Sequence, residues 1–201
     1  MPPISRGFGG RPRREVDPSR VPPGQYVVND FPVLSAGPTP RTSTDEWTLT
    51  IDGAVDASRS WSWDQLRELP SETFTTDIHC VTKWTKLGTT WTGVSLDTLL
   101  AEVETEAEYL TAWCDGDYTT NLTIEDISDG KAWIAYDFDG EPLDPEHGGP
   151  ARLLVPHLYL WKSAKWIRGI SFTPSDEPGF WEAAGYHNHG DPWREQRYWN
   201  D

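Results

Sequence analysis

The sequence predicts an α+β domain with mixed and antiparallel sheets and a few short helices. Apolar and polar residues alternate over short runs, at residues 47–51 and 73–78 above all, which is the period of half-buried strands. Further short strand candidates, bounded by Gly, Pro, Asn and Asp, fill much of the chain, while only two or three segments read as helix. Many short strands with so few helices is the α+β pattern. The chain has 201 residues, 36% of them hydrophobic and twelve of them tryptophan, enough to bury one substantial core without a second domain.

Nine of the seventeen prolines fall in the first forty residues, among glycines and arginines, and this argues against regular helix or sheet there. Residues 1–46 are expected to form an arm that wraps the domain, anchored from about Val21 onward by Tyr26-Val27-Val28 and Phe31-Pro32-Val33-Leu34. The domain proper spans residues 47–201. Residues 47–51 predict a strand that ends in an Asp52-Gly53 turn. Ser62 and Gln65 have capping-box spacing, with Leu66 and Leu69 on one face and Pro70 as a stop. Residues 73–78 alternate again, placing Phe74, Thr76 and Ile78 on one side and delivering His79 and Cys80 to the strand end. Lys86-Leu87-Gly88 reads as a turn, and Ser95 as the N-cap of a helix through Leu96, Leu99, Leu100 and Val103. Residues 109–113 and 118–122 predict a strand pair around Asp115-Gly116. Residues 131–138, 152–155 and 166–172 are the remaining strand candidates.

A net charge of −15 argues against nucleic acid or an anionic membrane surface as a partner. No apolar run has the length of a bilayer span, so no membrane insertion is expected. Arg13-Arg14 suggests twin-arginine export, but no apolar segment follows it, and the expected location is cytoplasmic. Two cysteines, Cys80 and Cys114, are too few for a disulfide framework. Lysine is scarce: four of the five lie in two tracts, Lys83 with Lys86 and Lys162 with Lys165. If the fold joins those tracts they make a cationic pocket in an anionic protein, suited to an anionic ligand.

The stretch from Asp77 to Lys86 places Cys80 beside His79, Lys83 and Lys86, neighbours that favour a thiolate able to bind a soft metal. The plainer reading is a buried cysteine acting as a small apolar side chain. His147-Gly148-Gly149-Pro150-Ala151-Arg152 offers backbone that can approach a ligand and a guanidinium that can fork onto phosphate. The same residues also suit a glycine-rich β-turn with a surface arginine. Lys162, Ser163 and Lys165 lie among tryptophans, where packing alone explains them poorly. His187 and His189 have a spacing found in zinc sites, but no further ligands are spaced convincingly nearby.

Taken in order, Ile78-His79-Cys80-Val81-Thr82-Lys83-Trp84, Trp91-Thr92-Gly93-Val94, the turn from His147 to Arg152 and Trp161-Lys162-Ser163-Ala164-Lys165-Trp166 resemble the molybdopterin-binding domain of the sulfite oxidase superfamily. The likeness runs from about Trp47 to Phe172 and is greatest to the short, stand-alone bacterial and archaeal members. It implies a sulfite-oxidase-type fold and a molybdenum held by molybdopterin and by the Cys80 thiolate. By the same resemblance His147, Arg152, Ser163, Ala164 and Lys165 would contact the pterin, Arg152 and Lys165 neutralising its phosphate, and Asn29 to Val33 of the divergent arm would correspond to the N-terminal pterin contact. His147 stands where the related methionine sulfoxide reductase catalytic subunit uses asparagine. Cys114 or Asp115 falls near a cofactor-lining position of that subunit, with a core or loop role as the alternative. The implied activity is oxygen-atom transfer to or from a small substrate of sulfite, sulfoxide or oxyanion type. Lys83, Lys86, His79 and His187 are substrate-side candidates by proximity. The arginine-rich segment that follows the ligand cysteine in sulfite oxidases is replaced here by Val81-Thr82-Lys83-Trp84-Thr85-Lys86, which leaves sulfite itself open. There is no room in 201 residues for the dimerisation and haem domains of animal sulfite oxidase. A separate electron-transfer partner is therefore expected, a haem protein or a quinone-linked subunit. The rival reading is a binding module that keeps the fold without molybdenum.

Overall fold

Two sheets built from the short alternating runs dominate the protein in a computed structural model that describes residues 16–201. Arg13-Arg14 lies outside those residues. The first half of the chain contributes β1 (Tyr26–Val28), β2 (Thr48–Gly53), β3 (Arg59–Ser62), α1 (Trp63–Glu68), β4 (Glu72–His79), β5 (Trp84–Ser95) and α2 (Leu96–Leu100). There follow β6 (Tyr109–Cys114), β7 (Thr119–Thr123), α3 (Ile124–Ile127), β8 (Trp133–Phe138) and β9 (Glu141–Pro142). Last come β10 (Arg152–Leu154), β11 (Ile167–Thr173) and α4 (Phe180–Ala183).

One sheet runs β1-β5-β8-β10, with β4 also paired to β5 and β9 to β8; the other runs β3-β2-β11-β6-β7. Parallel pairing occurs at β1 with β5 and at β2 with β11, and the other pairs are antiparallel. The larger core draws Leu49 and Ile51 from β2, Ile134 from β8, Leu153 from β10 and Ile170 from β11, so it lies between the sheets. Successive strand residues face opposite sides. Ala135 and Leu154 accordingly leave that core and join Ile78, Cys80, Trp84 and Trp91 in a second cluster. The first sheet is thus covered on both faces, and β8 from Trp133 to Tyr136 is buried at every position. Fully burying each Leu or Ile contributes on the order of 2 kcal/mol.

Local signals hold where a cap is written in the chain. Ser62 Oγ accepts from the Gln65 N–H at 3.3 Å, and Gln65 Oε1 accepts from the Ser62 N–H at 2.8 Å, which starts α1. The same box at Thr123 and Asp126 starts α3. α2 begins after Ser95 as expected but ends at Leu100, short of Val103. Glu102 and Glu104 follow, and acidic groups at a helix C-terminus oppose its dipole. Two expectations are corrected. The proline-rich arm does contain sheet: the proline-free window between Pro23 and Pro32 lets Tyr26–Val28 pair with Trp84, Thr85 and Lys86. Lys86-Leu87-Gly88 is not a turn but part of β5, where the register against β4 shifts between Thr76 and Ile78. Gly88 takes φ +65 there, and its N–H donates to Asp77 Oδ1 at 2.7 Å, so the bulge satisfies its own backbone.

Candidate active site

Alternation at the end of β4 sends adjacent side chains apart. The His79 ring turns to Thr85, with Nδ1 2.9 Å from Oγ1, and burial drives its pKa down to about 4. Cys80, next in the chain, faces a cavity of about 350 Å³. Its backbone enters a tight turn: the Cys80 N–H donates to Trp84 O at 2.9 Å and the Lys83 N–H to Cys80 O at 3.0 Å, with Lys83 left-handed at φ 75. The arm braces this turn. Gln25 Nε2 donates to Cys80 O at 3.1 Å and the Tyr26 N–H to Lys83 O at 2.9 Å. Burial pushes the Cys80 thiol up, against the Thr82 hydroxyl, the Thr82 and Val81 N–H groups and the charge of Lys165, which pull it down.

The opposite wall comes from β10 and the tract after it. Arg152 is 2% exposed and donates through Nη1 to His147 O at 2.9 Å and through Nη2 to Ser163 O at 2.6 Å. Burial lowers its pKa to about 10. Lys165 Nζ donates to Glu146 O at 2.6 Å and to Leu34 O at 2.8 Å, and burial, followed by Arg152, lowers its pKa to about 8. Among the described residues neither cation has a carboxylate within ion-pairing distance. Gly148 makes the junction possible. At φ +112 it lies where a Cβ would be 3.0 Å from Arg152 Cβ and 3.1 Å from Lys165 Cα. Ser163 Oγ accepts from the Val155 N–H at 2.8 Å and Ala164 O accepts from the Leu153 N–H at 2.9 Å, which locks residues 163–165 onto β10.

Cys80, Arg152, Ser163, Ala164 and Lys165 therefore line one cavity. The other sequence candidates stand elsewhere. Lys83 is exposed, Lys86 Nζ is tied to Asn29 O at 2.7 Å, and Asn29, Lys83 and Lys86 do not line the cavity. Lys162 is buried and ion-paired with Glu182 at 2.6 Å, so of the two lysine tracts only Lys165 faces the cavity. His147 lies just outside, its ring stacked on Phe31 at 4.0 Å, and Phe31 itself lines the wall. His187 Nδ1 accepts from the backbone N–H groups of His189 and Gly190, while His189 Nε2 lies 3.1 Å from Asp126 Oδ1. Among the described residues no three His, Cys, Asp or Glu are grouped to hold a metal ion, and the zinc reading of the two histidines gains no support. Both cysteines are free. Asp115 faces the cavity, held by Thr42 at 2.5 Å, whereas Cys114 is buried behind it.

Aromatic residues supply much of the remaining wall, and the sequence alone gives them no role of their own in the site. Trp84, Trp161, Trp166, Trp181 and Tyr186 all line the cavity. Burial, then Tyr198 and then Cys80 raise the Tyr186 pKa. The arm closes the cavity with Phe31, Pro32 and residues 34–38. Its proximity to Cys80 has no signal in the local sequence.

Residues 36–181 match the family described as the oxidoreductase molybdopterin binding domain. The chain belongs to that family. The uncharacterized oxidoreductase YuiH of Bacillus subtilis (strain 168) is 43% identical over 194 residues, covering 95% of this chain and 98% of YuiH. The putative protein-methionine-sulfoxide reductase subunit YedZ1 of Azospira oryzae is 30% identical over 69% of this chain, which spans only 53% of that relative. The sulfane dehydrogenase SoxCD from Paracoccus pantotrophus has the same fold, with a TM-score of 0.63 and 25% identity over 68% of this chain and 40% of its own. The sulfite-oxidase-type architecture of this molybdopterin-binding family is thus the one adopted here.

The residues present fit the family's cofactor. A buried guanidinium and a half-buried ammonium, neither with a carboxylate partner among the described residues, suit a phosphate, and a free thiol lining the same cavity suits a soft metal. Trp84, on the wall, has a buried Nε1–H with no partner among the described residues. A cavity of about 350 Å³ is within the range of small-molecule and cofactor sites.

Proposed function

We propose that the protein is a molybdenum-molybdopterin-dependent oxidoreductase that transfers an oxygen atom to or from a small substrate. The observation that carries this reading is the shared cavity, lined by Cys80, Arg152 and Lys165, with both cations donating only to carbonyl oxygens among the described residues. When bound, the cofactor supplies the two-electron oxygen-transfer chemistry. The chain's own residues bind and orient. Cys80 is the protein ligand to the metal, Arg152 and Lys165 hold the phosphate, and the backbone of residues 163–165 shapes the pterin side. Phe31, Leu34 and Pro38 of the arm shield the cavity from water. Trp161, Trp181 and Tyr186 wall the same cavity as Cys80, and Tyr186 is a lining residue whose hydroxyl can donate a hydrogen bond. Naming of the YedZ1 relative as a subunit supports a separate electron-transfer partner.

Metal and pterin analysis of protein produced in a host that makes the cofactor tests the assignment. Molybdenum and pterin are expected in equal amounts, with Cys80→Ser losing the Mo(V) paramagnetic signal and activity while keeping its circular dichroism. Protein that binds neither molybdenum nor pterin would instead be a binding module on the same fold.

A further inference from the structure

A metal's potential depends on what donates to its ligands. A hydrogen bond to a thiolate withdraws charge from sulfur, weakens its donation and favours the reduced metal. Cys80 carries such a donor in its own turn: Thr82 Oγ1 lies 3.2 Å from Sγ. Thr82 is an exposed residue, so packing does not force its hydroxyl inward, and water is available as a competing partner. What holds the hydroxyl on sulfur is the turn. Lys83 at φ 75 closes it, the Lys83 N–H ties back to Cys80 O at 3.0 Å, and the arm fixes both ends through Gln25 and Tyr26. These contacts cross 55 and 57 positions of sequence to fix the two residues of one short loop.

We propose that Thr82 is a positioning residue for the Cys80 thiolate and that its hydroxyl raises the potential of the metal by hydrogen bonding to the ligand sulfur. This rests on Cys80 being the metal ligand. Thr82→Val keeps the shape and removes the donor, leaving sulfur more electron-rich and the metal harder to reduce. Thr82→Ser keeps the donor. Redox titration of the holoenzyme, followed by the Mo(V) signal, with metal content measured on the same samples, separates the cases. The expected result is a lower midpoint potential in Thr82→Val and Thr82→Ala, at unchanged molybdenum content, with Thr82→Ser at the wild-type value. The thiolate-to-metal absorption should move to longer wavelength in the same two variants. Fully loaded Thr82→Val with wild-type potential and absorption overturns the role of Thr82 and leaves Cys80 as ligand. A wild-type protein that loads molybdenum but shows no thiolate-to-metal absorption overturns the ligand reading itself, and the Thr82 proposal with it.

Discussion

Replacing Arg152 acts on structure and on binding at once, and two measurements separate the effects. Its guanidinium joins His147 O to Ser163 O inside the protein, so the two halves of the cofactor wall depend on one side chain. Arg152→Ala is expected to weaken cofactor retention by about 1.5–3 kcal/mol, the worth of a hydrogen bond to a charged group, and to leave two buried carbonyls unsatisfied. Molybdenum content after dialysis reads the first effect and thermal unfolding the second. Arg152→Lys should recover charge but not the fork, and retention should stay below wild type. His189 gives a pH signature away from the cavity. Asp126, the main cause, raises its pKa, assisted by Gln196 and Asp191 and opposed by burial; His157 shares the same carboxylate oxygen and His187 lies two residues away. A raised histidine pKa stabilises the fold fully below the unfolded value of about 6.5, and that contribution fades as pH rises through the folded value. His189→Ala should therefore lose more stability, relative to wild type, near about pH 6 than near about pH 9 in denaturant titrations.

At the scale of elements, the loop from Pro145 to Gly148 packs tightly enough to make a second test. Gly148 is left-handed and sits against both Arg152 and Lys165, so a methyl group there crowds the two residues proposed to hold the phosphate. Gly148→Ala should cost about 1–2 kcal/mol in backbone strain alone, and cofactor occupancy should fall with it. Thermal unfolding of cofactor-free protein isolates the strain. Elements whose signal is local were legible in the chain: the capping box at Ser62, the cap at Ser95, the alternation of β2 and β4. Those that depend on a distant partner were not. β1 is three residues long and exists because the start of β5 offers it an edge, and β5 reads as two pieces because its bulge at Gly88 resembles a turn. Propensity cannot show a strand whose hydrogen bonds lie 58 positions away, as between Tyr26 and Trp84.

Across the whole molecule, the cavity is assembled from distant parts: the end of β4, the tract after β10 and the arm, joined by Asp115 after β6 and by Trp181 and Tyr186 near the C-terminus. The first two were legible because their residue types are chemically unusual together, a thiol and isolated cations amid aromatics. The arm reads as a strap, and the resemblance implies a pterin contact within residues 29–33; Phe31 and Pro32 of that stretch line the cavity and Asn29 does not, while Leu34 and residues 35–38 carry no chemical mark of their own. Lys165 shows what the arm does, because one of its two carbonyl partners is Leu34 O. Removing residues 1–38 should expose the second hydrophobic cluster, lower the unfolding temperature and increase the rate at which Cys80 is alkylated in cofactor-free protein. The aromatic wall has a further consequence, an optical one. Trp84, Trp161, Trp166 and Trp181, four of the twelve tryptophans, face the cavity, where a conjugated ligand would take up their excitation. Intrinsic fluorescence should dim as the site fills and recover as it empties, so the protein carries its own gauge of loading without a label.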